Sequence, residues 1–222
     1  MTCKTAAQMF RLFGHQLNRI FMMKRILTGS FAAAIAMFVW GWVFWGVLGM
    51  VLNPFRPIPD PAAQVIVAAA KAAFTESAVY RYPHPGGENQ ESPAASTPVD
   101  WEQQHREGPL IEIVYHAGGG PPMNPKMFVL GFLHMWFTAF VIGLIMNQFG
   151  ASARLSSYRD RLAFVIILGF LSSLWIDAGR YIWFYHPFFH ELFHAFYHIS
   201  GFLVAGLVLA ATVKRTEPHS PR

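Results

Sequence analysis

The sequence predicts an all-α membrane protein, a four-transmembrane-helix bundle with a small α+β periplasmic insertion. Three observations predict it. Apolar runs begin near Phe31, Met127, Leu162 and Pro187, and each is about 20 residues long, the length a helix needs to cross the hydrocarbon core. The composition is 54% hydrophobic and 16% aromatic against 13% charged, with a mean hydropathy of +0.32, well away from the usual balance of soluble domains. The cations crowd the ends of the apolar runs. The formal charge of +5 therefore reads as insertion topology, and nucleic-acid binding is excluded.

Residues 1–27 read as a cytoplasmic basic amphipathic segment, with Met9, Phe10, Phe13, Leu17, Ile20 and Phe21 on one side among Arg11, Arg19, Lys24 and Arg25. Such a helix lies on an anionic leaflet; a partly disordered tail, or a start at Met22 or Met23, accounts for the same residues. Residues 28–52 form the first span. Its run from Phe31 to Leu52 exceeds a signal-peptide core, and Trp40, Trp42 and Trp45 alternate with Gly41, Gly46 and Gly49 as close helix packing requires. The insertion is 53–126. In it Asp60 as N-cap and Pro61 at N1 open an alanine-rich helix to about Ser77, and 78–82 and 110–116 have the composition of a paired β-ribbon. His84 to Ser96 is loop or linker. Gly118-Gly-Gly-Pro-Pro122 is no phosphate loop, because no Lys-Ser/Thr follows it.

The second span is 127–147 and contains His134, the third is 162–184 with Asp177 and Arg180 near its far end, and the fourth is 187–213, with Pro187 at N1 holding His186 extended. A cytoplasmic loop (148–161) and tail (214–222) complete the chain. Five Lys/Arg precede the first span, Arg154, Arg159 and Arg161 lie between the second and third, and Lys214, Arg215 and Arg222 follow the fourth; the insertion holds five Lys/Arg and eight Asp/Glu. That bias places both termini in the cytoplasm and the insertion outside a bacterial inner membrane. A single cysteine, Cys3, excludes an intramolecular disulfide.

His186, His190, His194 and His198 recur every fourth residue, and a drift of about 40° per step makes them one inclined stripe on a helix. Ionisable groups at membrane depth face a bundle interior, a partner or water. Counting about 1.5 Å per residue from the outer ends puts His134 about 12 Å deep and Asp177 about 10 Å deep, with His194 and His198 at similar levels. A metal layer of His134, Asp177, His190, His194 and His198 follows, suited to zinc, copper or iron. His134 and His198 are also the pair that could bind a haem axially. Binding no cofactor is the competing reading: the imidazoles bond to Asp177, Glu191, tyrosines or carbonyls, Asp177 and Arg180 neutralise each other, and His186 and His190 belong to an aromatic belt. In that case the protein is an accessory or scaffold subunit of a larger membrane complex, or a homo-oligomer in the lipid bilayer, packed through Gly201, Ala205 and Gly206.

His190-Glu191-Leu-Phe-His194 matches H-E-x-x-H, in which two imidazoles hold zinc and Glu191 activates water as the catalytic base. The match resembles the motif of intramembrane site-2-type metalloproteases, and Asp177-Ala-Gly179 resembles their Asp-Gly third-ligand motif. Here the Asp precedes the histidines, and the family's Asn-x-x-Pro element is absent. Over most of the chain, Trp40-Gly-Trp42-Val-Phe-Trp-Gly46, Ser77 to Tyr80, Trp101, His105 to Pro109, Gly131-Phe-Leu-His134 and Leu203 to Leu209 resemble a group of small four-helix bacterial inner-membrane proteins without an assigned activity. This second resemblance implies the four-span architecture and supplies no site residues.

Overall fold

The computed structural model describes residues 3–52, 54–84, 98–149 and 155–213, with the side chains of 3–15, 17, 18 and 98–100 left out. The chain is mostly helical. Its elements are α1 (Cys3–Val43), a π-helical turn (Phe44–Leu48), α2 (Gly49–Leu52), α3 (Asp60–Ala73), β1 (Ala78–Tyr82), α4 (Pro98–Glu107), β2 (Ile111–Tyr115), α5 (Pro125–Phe149), α6 (Tyr158–Phe184) and α7 (Phe188–Thr212). Four helices are long and apolar enough to cross a membrane: Arg19–Leu52, Pro125–Phe149, Tyr158–Phe184 and Phe188–Thr212. The chain divides into two compact units, Met1–Arg56 with Pro125–Arg222, and Pro57–Asn124.

In the first unit α1 packs on both α5 and α7, and α7 packs on α6; among the described residues no comparable seam joins α5 to α6. The helices thus pack in the order α5–α1–α7–α6. Small residues set the closeness of the α6–α7 seam. A Cβ added to Gly169 would lie 2.5 Å from the Cβ of Phe202, and one on Gly206 would lie 3.2 Å from the Cβ of Val165. Gly201, Ala205 and Gly206, expected to form a packing ridge, are buried, and Gly206 meets Leu162 and Val165 of α6. Replacing Gly169 by leucine is expected to destabilise the fold by about 1–3 kcal/mol, the usual cost of overpacking, read as a lower thermal midpoint in detergent; an unchanged midpoint refutes this account of the seam.

Polar ties fix the register of these helices. Trp136 Nε1 donates to Ser30 Oγ at 3.2 Å and Trp40 Nε1 to Ser200 Oγ at 3.0 Å, since a buried indole N–H needs an acceptor. Arg161, expected only as a topology cation, is buried and ties α6 to α7, donating to the carbonyls of Ala210 at 3.0 Å, Leu155 at 3.1 Å and Ser156 at 2.7 Å. Ser157 and Asp160 form a capping box that starts α6 four residues before the predicted Leu162.

Other departures are local. α1 runs unbroken through Lys24–Ser30 where a surface segment followed by a separate span was expected; most of that segment's apolar side chains lie outside the described set, as do Arg154 and the tail cations. Pro187 is the N-cap of α7 rather than N1. In the second unit Pro59, not Asp60, caps α3, which stops at Ala73. The ribbon has the expected strands, antiparallel with Ala78 opposite Tyr115 and Tyr82 opposite Ile111. Phe74 stacks on Tyr80 at 3.8 Å. No element was expected at α4, where Arg106–Glu102 and Gln103–Glu107 pairs at i,i+4 support the helix. The expected linker from Pro85 to Ser96 lies outside the described residues.

Candidate metal centre

The site lies at the turn between α6 and α7. Tyr185, in the left-handed region at φ 57°, ends α6, and the N–H of His186 returns to the Arg180 carbonyl at 3.4 Å. Pro187 then starts α7, so His186 hangs beside the first turn of the helix that carries the other histidines. Its Nδ1 lies 2.6 Å from Glu191 Oε1, and His190 Nδ1 lies 3.0 Å from the same oxygen. Glu191 is only 3% exposed, and its second oxygen, Oε2, is buried without a hydrogen-bond partner.

Below this cluster the rings continue as a ladder. Centroid separations are 6.0 Å from His186 to His190, 4.6 Å to His194 and 6.2 Å to His198. Asp177, 2% exposed on α6, closes the lower end. Its Oδ2 accepts from Ser173 Oγ at 2.7 Å and meets His198 Nδ1 at 2.8 Å, while Oδ1 is buried without a partner. His194 Nε2 is likewise buried and unpartnered.

The aromatic wall comes from α1. A π turn opens the helix by one residue, and here the adjacent Phe44 and Trp45 both reach α7: Phe44 lies 4.7 Å from Phe193 and Trp45 lies 5.3 Å from His194, ring centre to ring centre. Phe55 adds an edge contact on His190 at 5.3 Å. These rings limit water around the imidazoles.

The predicted residues divide accordingly. His190, His194 and His198 line one ladder, with Asp177 bonded to its lower end and Glu191 to its upper. His134 stands apart. It is exposed, on the helix that packs along α1. Phe132 touches Phe31 and Phe38, and Trp136 reaches Ser30, so this stretch of α5 packs on α1, and among the described residues no hydrogen bond or ring contact joins His134 to His198. The Asp177–Arg180 pair is not formed either: Arg180 is exposed, and Asp177 is bonded to Ser173 and His198.

His186, in the four-residue stripe but not among the expected ligands, is part of the cluster. The available signal was its position immediately before a helix-starting proline, from which a side chain can fold back onto the first turn, as capping residues do.

His186, His190 and Glu191 offer ligand atoms that all lie within 4.8 Å of one another. Two imidazoles and a carboxylate suit a borderline divalent ion. Ligand atoms about 2.1 Å from a tetrahedral zinc stand about 3.4 Å apart, so the 2.6 and 3.0 Å separations need to open by about 0.8 and about 0.4 Å. The unpartnered Glu191 Oε2 is a further donor, and the residues present therefore fit such an ion. They fit a hydrolase less well. In H-E-x-x-H chemistry the glutamate stays free to activate water, whereas Glu191 is engaged by two imidazoles and closed from solvent.

The fold and this cluster define a protein with four helices long and apolar enough to cross a membrane and a His/Glu group compatible with metal binding. No protein-family model matches the chain, and no curated protein or solved structure is similar to it.

Proposed function

We propose that this is an inner-membrane protein that binds a borderline divalent transition ion, zinc, copper or iron, through His186, His190 and Glu191. The single observation that carries the reading is the convergence of two imidazole nitrogens on one buried carboxylate oxygen, at 2.6 and 3.0 Å. Burying that carboxylate and two ring dipoles at a membrane edge is costly without a charge to neutralise them. A cation in place of the shared hydrogens neutralises the carboxylate and gives both nitrogens a bond. Three protein ligands leave a fourth position for water or another small donor. The cation distribution in the sequence supports cytoplasmic termini, with the α6–α7 turn at the periplasmic side.

The test is metal analysis of protein purified from a membrane without chelator, followed by chelation and titration with Zn2+. The expected result is one equivalent lost on chelation and regained on titration, with a rise in thermal midpoint. At a free ion concentration of 100 Kd that rise corresponds to about 2.7 kcal/mol of stabilisation. Protein that retains no ion and shows no saturable Zn2+ binding overturns the proposal.

A further inference from the structure

The lower half of the ladder has its own set of unsatisfied groups, apart from the His186–His190–Glu191 cluster. His198 turns Nδ1 to Asp177 Oδ2 at 2.8 Å. With Nδ1 donating to that carboxylate oxygen, the lone pair of the ring is left on Nε2. Ser173 braces the same carboxylate oxygen from one turn away, at 2.7 Å. A carboxylate holding one ring nitrogen so that the other faces a cation is the arrangement that orients histidine ligands of metals. One turn earlier on α7, His194 Nε2 is buried with no hydrogen-bond partner.

The ring spacing fits one ion between them. Two imidazoles bound at about 2.0–2.1 Å to a common ion have centroids about 4.5 Å apart at a right angle and about 6.4 Å apart when opposed. His194 and His198 are at 6.2 Å, towards the opposed limit. Trp45 packs on His194 at 5.3 Å and Tyr197 lies beside His198 at 5.7 Å, ring centre to ring centre. His194 Nε2 and Asp177 Oδ1, buried without partners, are costly in an apolar interior, and a cation between the two rings gives His194 Nε2 a bond beside the Asp177 carboxylate.

We infer that His194 and His198, oriented by Asp177 and Ser173, form a second and deeper station for a transition ion, so that α7 carries two ions in file from its N-terminal end inwards. The inference deepens the metal reading above and shares its chemistry, but it rests on different atoms. His194 and His198 are the ligands, and Asp177 is a positioning residue.

The experiment counts Cu2+, the first-row divalent ion that nitrogen sites hold most tightly, by equilibrium dialysis of the full chain in detergent. Equivalents are taken as differences between variants, so that copper on exposed histidines cancels. Relative to the wild-type chain, His198→Ala is expected to lose one equivalent, His186→Ala a different one, and the double variant two. Asp177→Asn keeps both ligands but is expected to weaken the inner equivalent about 10–100-fold while leaving the outer one unchanged, a readout that holds if His198→Ala folds poorly. If His186→Ala loses one equivalent while His198→Ala loses none, the deeper station is overturned and the outer site stands. If neither loses any, both are overturned. Unchanged inner affinity in Asp177→Asn also overturns the assignment.

Discussion

Glu191→Ala is expected to lower the affinity for Zn2+ by more than roughly 100-fold, because removal of a mere orienting partner already costs about 10–100-fold and Glu191 is here placed as a ligand. The same change should destabilise the metal-free protein by about 1–3 kcal/mol, since the Nδ1 atoms of His186 and His190 lose their common acceptor at a site 3% exposed. Glu191→Gln separates the two effects. Its carbonyl oxygen can still accept from both rings, so stability should fall less than in the alanine variant, while the loss of the anionic ligand should still remove metal binding. Zinc affinity by competition with a chromophoric chelator, beside thermal unfolding of the metal-free protein, measures both. Wild-type zinc affinity in Glu191→Gln would mean that the carboxylate serves packing alone.

What the sequence made legible was whatever depends on span length and period. The four apolar helices need only length and hydrophobicity, and the histidine stripe needs only a four-residue repeat, so both could be read before any coordinates. Depth was harder. Counting from span ends assumes that the ends are level, and span length alone does not fix how neighbouring helices are offset along their axes. Partner choice within the site was also hidden. Asp177 and Arg180 share a helix at i,i+3, yet the carboxylate bonds to Ser173 and across to His198, because α6 turns it onto α7 and leaves Arg180 exposed. His186 was counted in the stripe but not as a ligand, since it precedes the helix, and the turn through Tyr185 is what brings it onto Glu191. The π turn that brings Phe44 and Trp45 together has no sequence signature among the alternating tryptophans and glycines.

The second large effect concerns Asp177. Asp177→Leu conserves much of the volume but leaves Ser173 Oγ and His198 Nδ1 without their acceptor in the middle of the α6–α7 seam. Each lost partner at a buried position costs about 1–3 kcal/mol, and Ser173 can recover by turning to a carbonyl of its own helix, as Ser172 already does towards Leu168. The expected loss is therefore about 2 kcal/mol, dominated by His198. His198→Leu alone should cost less, because the carboxyl it leaves behind keeps its bond from Ser173. Replacing both polar partners by apolar groups of similar volume is often close to neutral, so the Asp177→Leu/His198→Leu double variant should regain much of the loss, with a coupling in the range of about 0.5–3 kcal/mol for residues in direct contact. Unfolding midpoints of the four proteins, taken without metal, close the cycle. A stable double variant that binds only one ion would show that the Asp177–His198 pair is kept for what it holds rather than for the stability of the helices. Additive losses would instead mean that the two residues act independently, and that the 2.8 Å contact between them does not position His198.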